Sequence, residues 1–283
     1  MSSPIVKKRG LIPGRVSEMV IRAPQIAARA KPGNFVVIRL SQTGERVPLT
    51  IADKDPGAGT ITIVYLVLGK TTALLETLDE GDEILDLCGP LGKPTRIEKQ
   101  GRVVCVGGGT GIAAMHHIAK GHFEAGNHVA AIIGARSKDL LLFHAELAAF
   151  CPQVLVATDD GSFGHKGLVT EVLQQYLDEH SDVSEVVGVG PVPMMRAVAE
   201  VTRPLGVKTV VSLNSIMVDG IGMCGACRVS VDNNIRFACV DGPEFDAHQV
   251  DFDELSRRLK AFVPQEQKSY KLFCKCHEQE TEN

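Results

Sequence analysis

Between residues 101 and 212 five apolar strands alternate with four helical stretches, and that alternation constrains the fold more than any other feature. The strands read VVCVG, HVAAIIGA, VLVAT, EVVGVG and KTVVS; the helical stretches fall near 111–124, 139–150, 167–179 and 192–203. Repeated strand–helix units build a parallel, doubly wound sheet with helices on both faces. Such sheets bind ligands beyond the carboxyl ends of their strands.

The chain on either side does not share this period. Before residue 99 come short strands, FVVIRL (35–40), TITIVYLVL (60–68) and EILDL (83–87), bounded by PGN, DPGAG and EGD turns, with one helix over Thr71–Leu78. This pattern predicts a small antiparallel β-barrel. Residues 213–250 form a loop segment rich in glycine and cysteine; an amphipathic helix follows at about 251–262, then a polar tail ending HEQETEN that is expected to be mobile. The fold class is therefore α+β multidomain, with a barrel over 1–98, an α/β domain over 99–212 and a C-terminal segment over 213–283.

Composition narrows what such a chain does. A length of 283 residues, 44% of them hydrophobic, suits two compact domains and an appendage, and the net charge of −4 gives no general attraction to nucleic acid or to anionic membranes. No apolar run reaches the roughly 18 residues of a membrane span. Basic residues near the N-terminus lack the apolar stretch of a secretory signal, so the expected location is the cytoplasm.

Eight cysteines stand at 88, 105, 151, 224, 227, 239, 274 and 276. Cys105, Cys151 and Cys88 read as small structural thiols, and Cys274 and Cys276 as free thiols in the tail. The remaining three lie in Asp219-Gly-Ile-Gly-Met-Cys224-Gly-Ala-Cys227, with Cys239 twelve residues later. Three thiolates and a carboxylate on a glycine-rich loop suit an iron–sulfur cluster, because bare backbone can turn its amides toward the sulfides. A tetrahedral zinc site is the rival, although no histidine stands at the usual spacing; a chance grouping of buried cysteines is the third reading. Asp219 is either a ligand or the cap of a turn.

Gly107-Gly108-Gly109-Thr110-Gly111 ends an apolar strand and opens a helix, the arrangement in which backbone and helix dipole together receive a pyrophosphate. Gly190-Pro191 makes a second such turn. Arg136 and Lys138 follow the second strand, while Asp159 and Asp160 follow the third; carboxylates there repel a 2′-phosphate and favour NAD(H) over NADP(H). In the barrel, Arg46-Val47-Pro48-Leu49-Thr50 closes one strand, Val64-Tyr65-Leu66 lies on another, and Gly69-Lys70-Thr71-Thr72 opens the helix. A glycine-preceded helix start with two hydroxyls is a cradle for phosphate, and equally an ordinary capped helix. His116 and His117 are read as one packed and one exposed residue.

In order and spacing these segments resemble the ferredoxin reductase superfamily, RVPLT and GKTT matching its FAD-binding elements and GGGTG its nucleotide turn. The cysteine segment resembles the [2Fe–2S] loop of the dihydroorotate dehydrogenase electron-transfer subunit family, down to the Asp241-Gly242-Pro243 turn after its last ligand. That family has cysteine where this chain has Asp219. An aspartate there is associated with one branch, the small subunits of NADH-dependent reduced ferredoxin:NADP+ oxidoreductases. Leu66 stands where relatives often place an arginine, which leaves one cation for a diphosphate missing or supplied elsewhere.

The resemblance implies one FAD, one [2Fe–2S] cluster held by Asp219, Cys224, Cys227 and Cys239, and an NAD(H) site. Electrons pass from NADH through FAD and the cluster to a larger flavoprotein with [4Fe–4S] clusters, reduced ferredoxin taking part indirectly and electron bifurcation running in reverse. No catalytic acid–base pair is evident. The alternatives are an electron-transfer subunit of dihydroorotate dehydrogenase, hydrogenase or sulfite reductase, an iron–sulfur redox sensor without turnover, and a zinc-stabilised protein without flavin.

Overall fold

The structure, a computed structural model, describes residues 3–281, with side chains through Cys274. Strands β1 (Ile5–Ile12), β2 (Val16–Arg22), β3 (Phe35–Arg39), β4 (Val47–Asp55), β5 (Thr60–Leu66) and β6 (Asp86–Leu91) form one antiparallel sheet in the order β1-β2-β5-β4-β3-β6. The sheet curls until β1 meets the segment ahead of β6, where Ile5 N–H donates to Asp82 O at 2.8 Å and Ile84 N–H to Ser3 O at 3.1 Å. A barrel results, as the sequence predicts. Alternation along β5 explains its two faces: Ile61, Ile63 and Tyr65 point into the barrel core, while Val64 joins the core of the second domain. Two short helices complete this part, α1 (Pro24–Arg29) and α2 (Lys70–Glu76).

The second sheet contains β7 (Arg102–Gly108), β8 (His128–Ala135), β9 (Gln153–Thr158), β10 (His165–Lys166), β11 (Val183–Val189) and β12 (Lys208–Ser212), all parallel, in the order β10-β9-β8-β7-β11-β12. Helices α3 (Gly111–Glu124), α4 (His144–Ala148), α5 (Val169–Glu179) and α6 (Val192–Thr202) connect them. The chain order reverses between β7 and β11, so a crevice opens beyond their carboxyl ends. The helix expected over 139–150 is shorter: Phe143 takes a left-handed conformation (φ 57°) and only five residues after it are helical.

The C-terminal segment departs most from expectation. Within the stretch read as loop, β13 (Arg228–Val231) and β14 (Asn234–Phe237) form a hairpin across Asp232 and Asn233, both at positive φ as its two-residue turn requires. β15 (Glu244–Asp246) then adds to the second sheet, antiparallel to β12. Helix α7 (Phe252–Leu259) is capped by the Asp251 carboxylate, which accepts from Glu254 N–H at 2.8 Å. The tail expected to be mobile is instead helix α8 (Val263–Thr281), packed beside α2; its Glu, Gln and Lys content gives it the propensity. Cys274 is half-buried on α8, and the thiol of Cys276 lies outside the described side chains.

Two further expectations are corrected. His116 and His117 are both buried, at 8% and 5% exposure, because α3 is clasped between the barrel and α4. His117 Nδ1 stands 2.9 Å from Ile51 O on β4, while the His116 ring packs on Phe143 and Phe150. Cys88, read as structural, is exposed on β6, whereas Cys105 and Cys151 are buried as expected. No helix among the described residues is long and apolar enough to cross a membrane.

Candidate functional site

The crevice between β7 and β11 faces the barrel, and two adjoining cavities occupy the junction. The larger, about 540 Å³, has Pro48, Leu49, Thr50, Val64, Tyr65 and Leu66 on its barrel side. Gly108–Gly111 and Gly190-Pro191 form its floor, and Ser212–Ser215 with Met217 close it from the C-terminal segment. The smaller, about 350 Å³, shares Leu66, Gly108–Thr110 and Pro191 and continues to Arg136, Asp159 and Arg15.

Most of the residues singled out from sequence are thus brought together, and the glycines show why. A Cβ on Gly111 would lie 2.5 Å from Val189 O and 2.8 Å from Gly190 Cα, so the two turns interlock only with bare backbone at this point. Gly107 is packed under α3 against Ile112 and Met115, supporting the turn from behind.

Other residues stand apart. Arg46, Gly69, Lys70, Thr71 and Thr72 line neither cavity. The Thr71 hydroxyl donates to the Glu45 side chain at 2.6 Å, tying α2 to the segment ahead of β4, and Thr72 Oγ1 accepts from Leu68 and Gly69 N–H at 3.0 and 3.1 Å, which caps α2. Tyr65 donates its hydroxyl to Glu76 at 2.7 Å; burial, then that carboxylate, pushes its pKa well up. Of the acidic pair only Asp159 reaches the cavity. The Asp160 carboxylate accepts from Ser162 Oγ and N–H at 2.6 and 2.9 Å, which holds its pKa below the usual carboxylate range.

The structure also brings in residues the sequence reading passed over. Arg15 follows Gly14 in the β1–β2 turn, and its neighbour Val16 pairs with Leu66 across the ladder. A cation therefore stands beside the position where Leu66 removes one. Ser212, Asn214, Ser215 and Met217 give no sequence signal, since they lie between the last parallel strand and the cysteine loop.

The cysteine loop is wrapped on the outside of the barrel. Cys227 and Cys239 are buried with their sulfurs 3.1 Å apart, in an apolar cluster that includes Phe35, Val37 and Met217. Asp219 and Cys224 lie on the outer side; the Asp219 carboxylate accepts from Ile221 N–H at 2.9 Å and from Cys224 N–H at 2.6 Å. These bonds lower the pKa of Asp219, the one from Ile221 most. Gly220, Gly222 and Gly225 all have positive φ (74°, 85° and 69°), which lets so short a loop turn around its donors. Burial, then the neighbouring Cys227, pushes the Cys239 thiol up to about 12. Among the described residues no three His, Cys, Asp or Glu side chains are gathered around one point in this structure.

A barrel and a nucleotide-type sheet meeting at one crevice, with a cysteine loop packed beside it, define an oxidoreductase of the ferredoxin reductase-like class. Residues 105–200 match the model of the oxidoreductase NAD-binding domain, and residues 214–251 that of the iron–sulfur cluster binding domain of dihydroorotate dehydrogenase B. The electron transfer subunit homolog of dihydroorotate dehydrogenase B (NAD(+)) from Thermotoga maritima is 48% identical over 95% of each chain. The corresponding electron transfer subunit from Geobacillus thermodenitrificans is 33% identical over 87% of this chain and 96% of that one. Among solved structures, an NADH-dependent reduced ferredoxin–NADP oxidoreductase superposes with a TM-score of 0.92 at 46% identity, over 97% of this chain and 98% of that one. A ferredoxin reductase of carbazole 1,9a-dioxygenase, 21% identical over 73% of this chain and 66% of that one with a TM-score of 0.63, shares the fold. The chain belongs to the dihydroorotate dehydrogenase B electron transfer subunit family. Its cofactors are FAD, NAD(H) and an iron–sulfur cluster.

Proposed function

We propose that this chain passes electrons between NAD(H) and a larger flavoprotein subunit carrying [4Fe–4S] clusters, within an assembly that exchanges them among NADH, ferredoxin and NADP+. The observation that carries this reading is the inside-to-outside order of the cysteine loop. Its buried thiol pair, Cys227 and Cys239, shares an apolar cluster with Phe35 and Met217, which also line the larger cavity; its outer pair, Asp219 and Cys224, faces solvent. An electron entering from the cavity side leaves at the surface.

The donor set fits a [2Fe–2S] cluster, which Asp219, Cys224, Cys227 and Cys239 would hold. A carboxylate has about four lone-pair sites, so the two N–H bonds at Asp219 leave room for a metal. Pro48, Leu49, Thr50, Val64, Tyr65 and Leu66 receive the flavin ring, an apolar slot with the Thr50 hydroxyl at its edge. Gly108–Thr110 carry the nicotinamide nucleotide's diphosphate, Arg15 and Arg136 neutralise charge in the smaller cavity, and Asp159 accepts from a ribose hydroxyl. Pro191 borders both cavities and Gly190 the larger one, at the junction where nicotinamide and flavin would meet. Bound FAD supplies the exchange between two-electron nicotinamide chemistry and one-electron cluster chemistry.

Val218, Ile221, Met223 and Val240 are exposed around the outer donors, Met223 at 82%. Apolar side chains grouped in this way fit a protein partner. Anaerobic purification from the native host tests the reading: one flavin and two irons per chain are expected, together with a co-purifying larger iron–sulfur flavoprotein. Colourless material without flavin or iron would refute it.

A further inference from the structure

The six residues from Ser212 to Met217 lead from β12 into the cysteine loop, and on the way they form one wall of the larger cavity. Their path is fixed by Leu213 N–H, which donates to Pro243 O at 2.9 Å. Ser215 is 5% exposed, and its Oγ is fully buried without a hydrogen-bond partner in the chain. A buried hydroxyl left unpaired destabilises the fold; Ser215 itself lines the cavity, so rotation about its Cα–Cβ bond would bring the hydroxyl to a partner received there. The hydroxyl of Tyr65, on the barrel side of the same cavity, is already committed to Glu76.

We propose that Ser215 donates a hydrogen bond to the polar edge of the FAD ring, reaching it from the segment that continues into the cluster loop. The inference rests on the flavin reading of this cavity. A donor at the ring stabilises its electron-rich reduced form more than its oxidised form, so Ser215 raises the flavin's potential. It also ties the ring to the same strand of backbone that carries Asp219 four residues later.

The test is the Ser215→Ala variant of the full chain, prepared free of FAD and titrated with FAD alone. Losing one hydrogen bond is expected to weaken FAD binding about five-fold. The visible flavin spectrum shifts and the flavin midpoint potential falls. Ser215→Thr, which keeps the hydroxyl, restores all three. Without FAD the Ala variant unfolds at no lower temperature than the parent, because the hydroxyl has no partner in the chain, and it gains less from added FAD. Unchanged affinity, spectrum and potential in Ser215→Ala overturn the proposal while leaving the cavity's flavin reading intact. A change confined to NADH binding overturns it in favour of a nicotinamide contact. Failure of the parent chain to bind FAD overturns both readings.

Discussion

The Asp219 carboxylate holds the backbone N–H of Cys224 at 2.6 Å, so the first two donors of the cysteine loop are tied together by the protein itself. A donor that also shapes the loop has two separable roles. Asp219→Cys keeps a donor and is expected to retain iron and acid-labile sulfide, with an altered electron paramagnetic resonance spectrum and a shifted cluster potential. Asp219→Ala removes donor and cap together, and most of the iron is lost. Equal iron content in both variants and the parent would exclude Asp219 as a ligand.

Arg15 lines the smaller cavity beside Leu66 and Arg136. Replacing it with alanine removes a charged contact to a diphosphate, a loss of roughly 1.5–3 kcal/mol. NADH binding is expected to weaken by at least ten-fold, more steeply at low salt, while FAD content stays unchanged. Titration of NADH by fluorescence measures this, and loss of FAD instead would assign the cation to the flavin.

Gly111 has no room for a side chain. Gly111→Ala drives a Cβ into the carbonyl of Val189, which is backbone and cannot rotate away. A destabilisation of about 1–3 kcal/mol is expected, together with weaker nucleotide binding, since the two turns must separate. Thermal unfolding with and without NADH separates the two effects.

Glu244 on β15 accepts from Thr95 Oγ1 at 2.5 Å. Burial raises its pKa from 4.5 to about 7, with Glu185 adding to the rise and Thr95 and Lys208 opposing it. The folded chain keeps a proton that the unfolded chain has released, so this group's stabilisation is complete below pH 4.5 and lost as pH rises through about 7. Unfolding temperatures compared at about pH 5 and about pH 8 should fall in the parent and change less in Glu244→Gln. Parallel profiles would remove Glu244 as the cause.

The alternation over 101–212 was legible because each strand is apolar throughout and each helix repeats at its own period. GGGTG and the cysteine loop were legible because their chemistry tolerates few other residues. The hairpin over Arg228–Phe237 was harder to read, since its strands are four residues each and β14 carries mostly exposed side chains; only Asp232-Asn233 marked the turn. Arg15 and Ser215 were invisible for another reason. Neither belongs to a motif, and each acquires its place only when segments distant in sequence close around the cavities. The Thr71 and Thr72 hydroxyls are a different case, a motif-like string whose side chains already have partners within the fold.

β15 has a consequence for how the molecule behaves as a machine part. By pairing with β12 it rivets the segment after the cysteine loop to the outer margin of the nucleotide sheet, while Gly220 presses on Leu91 and Val37 of the barrel. Any tilt of one domain against the other must therefore drag or shear the wiring between them. A chain cut short after β12 would also bare an unpaired strand edge, and such edges recruit one another into aggregates.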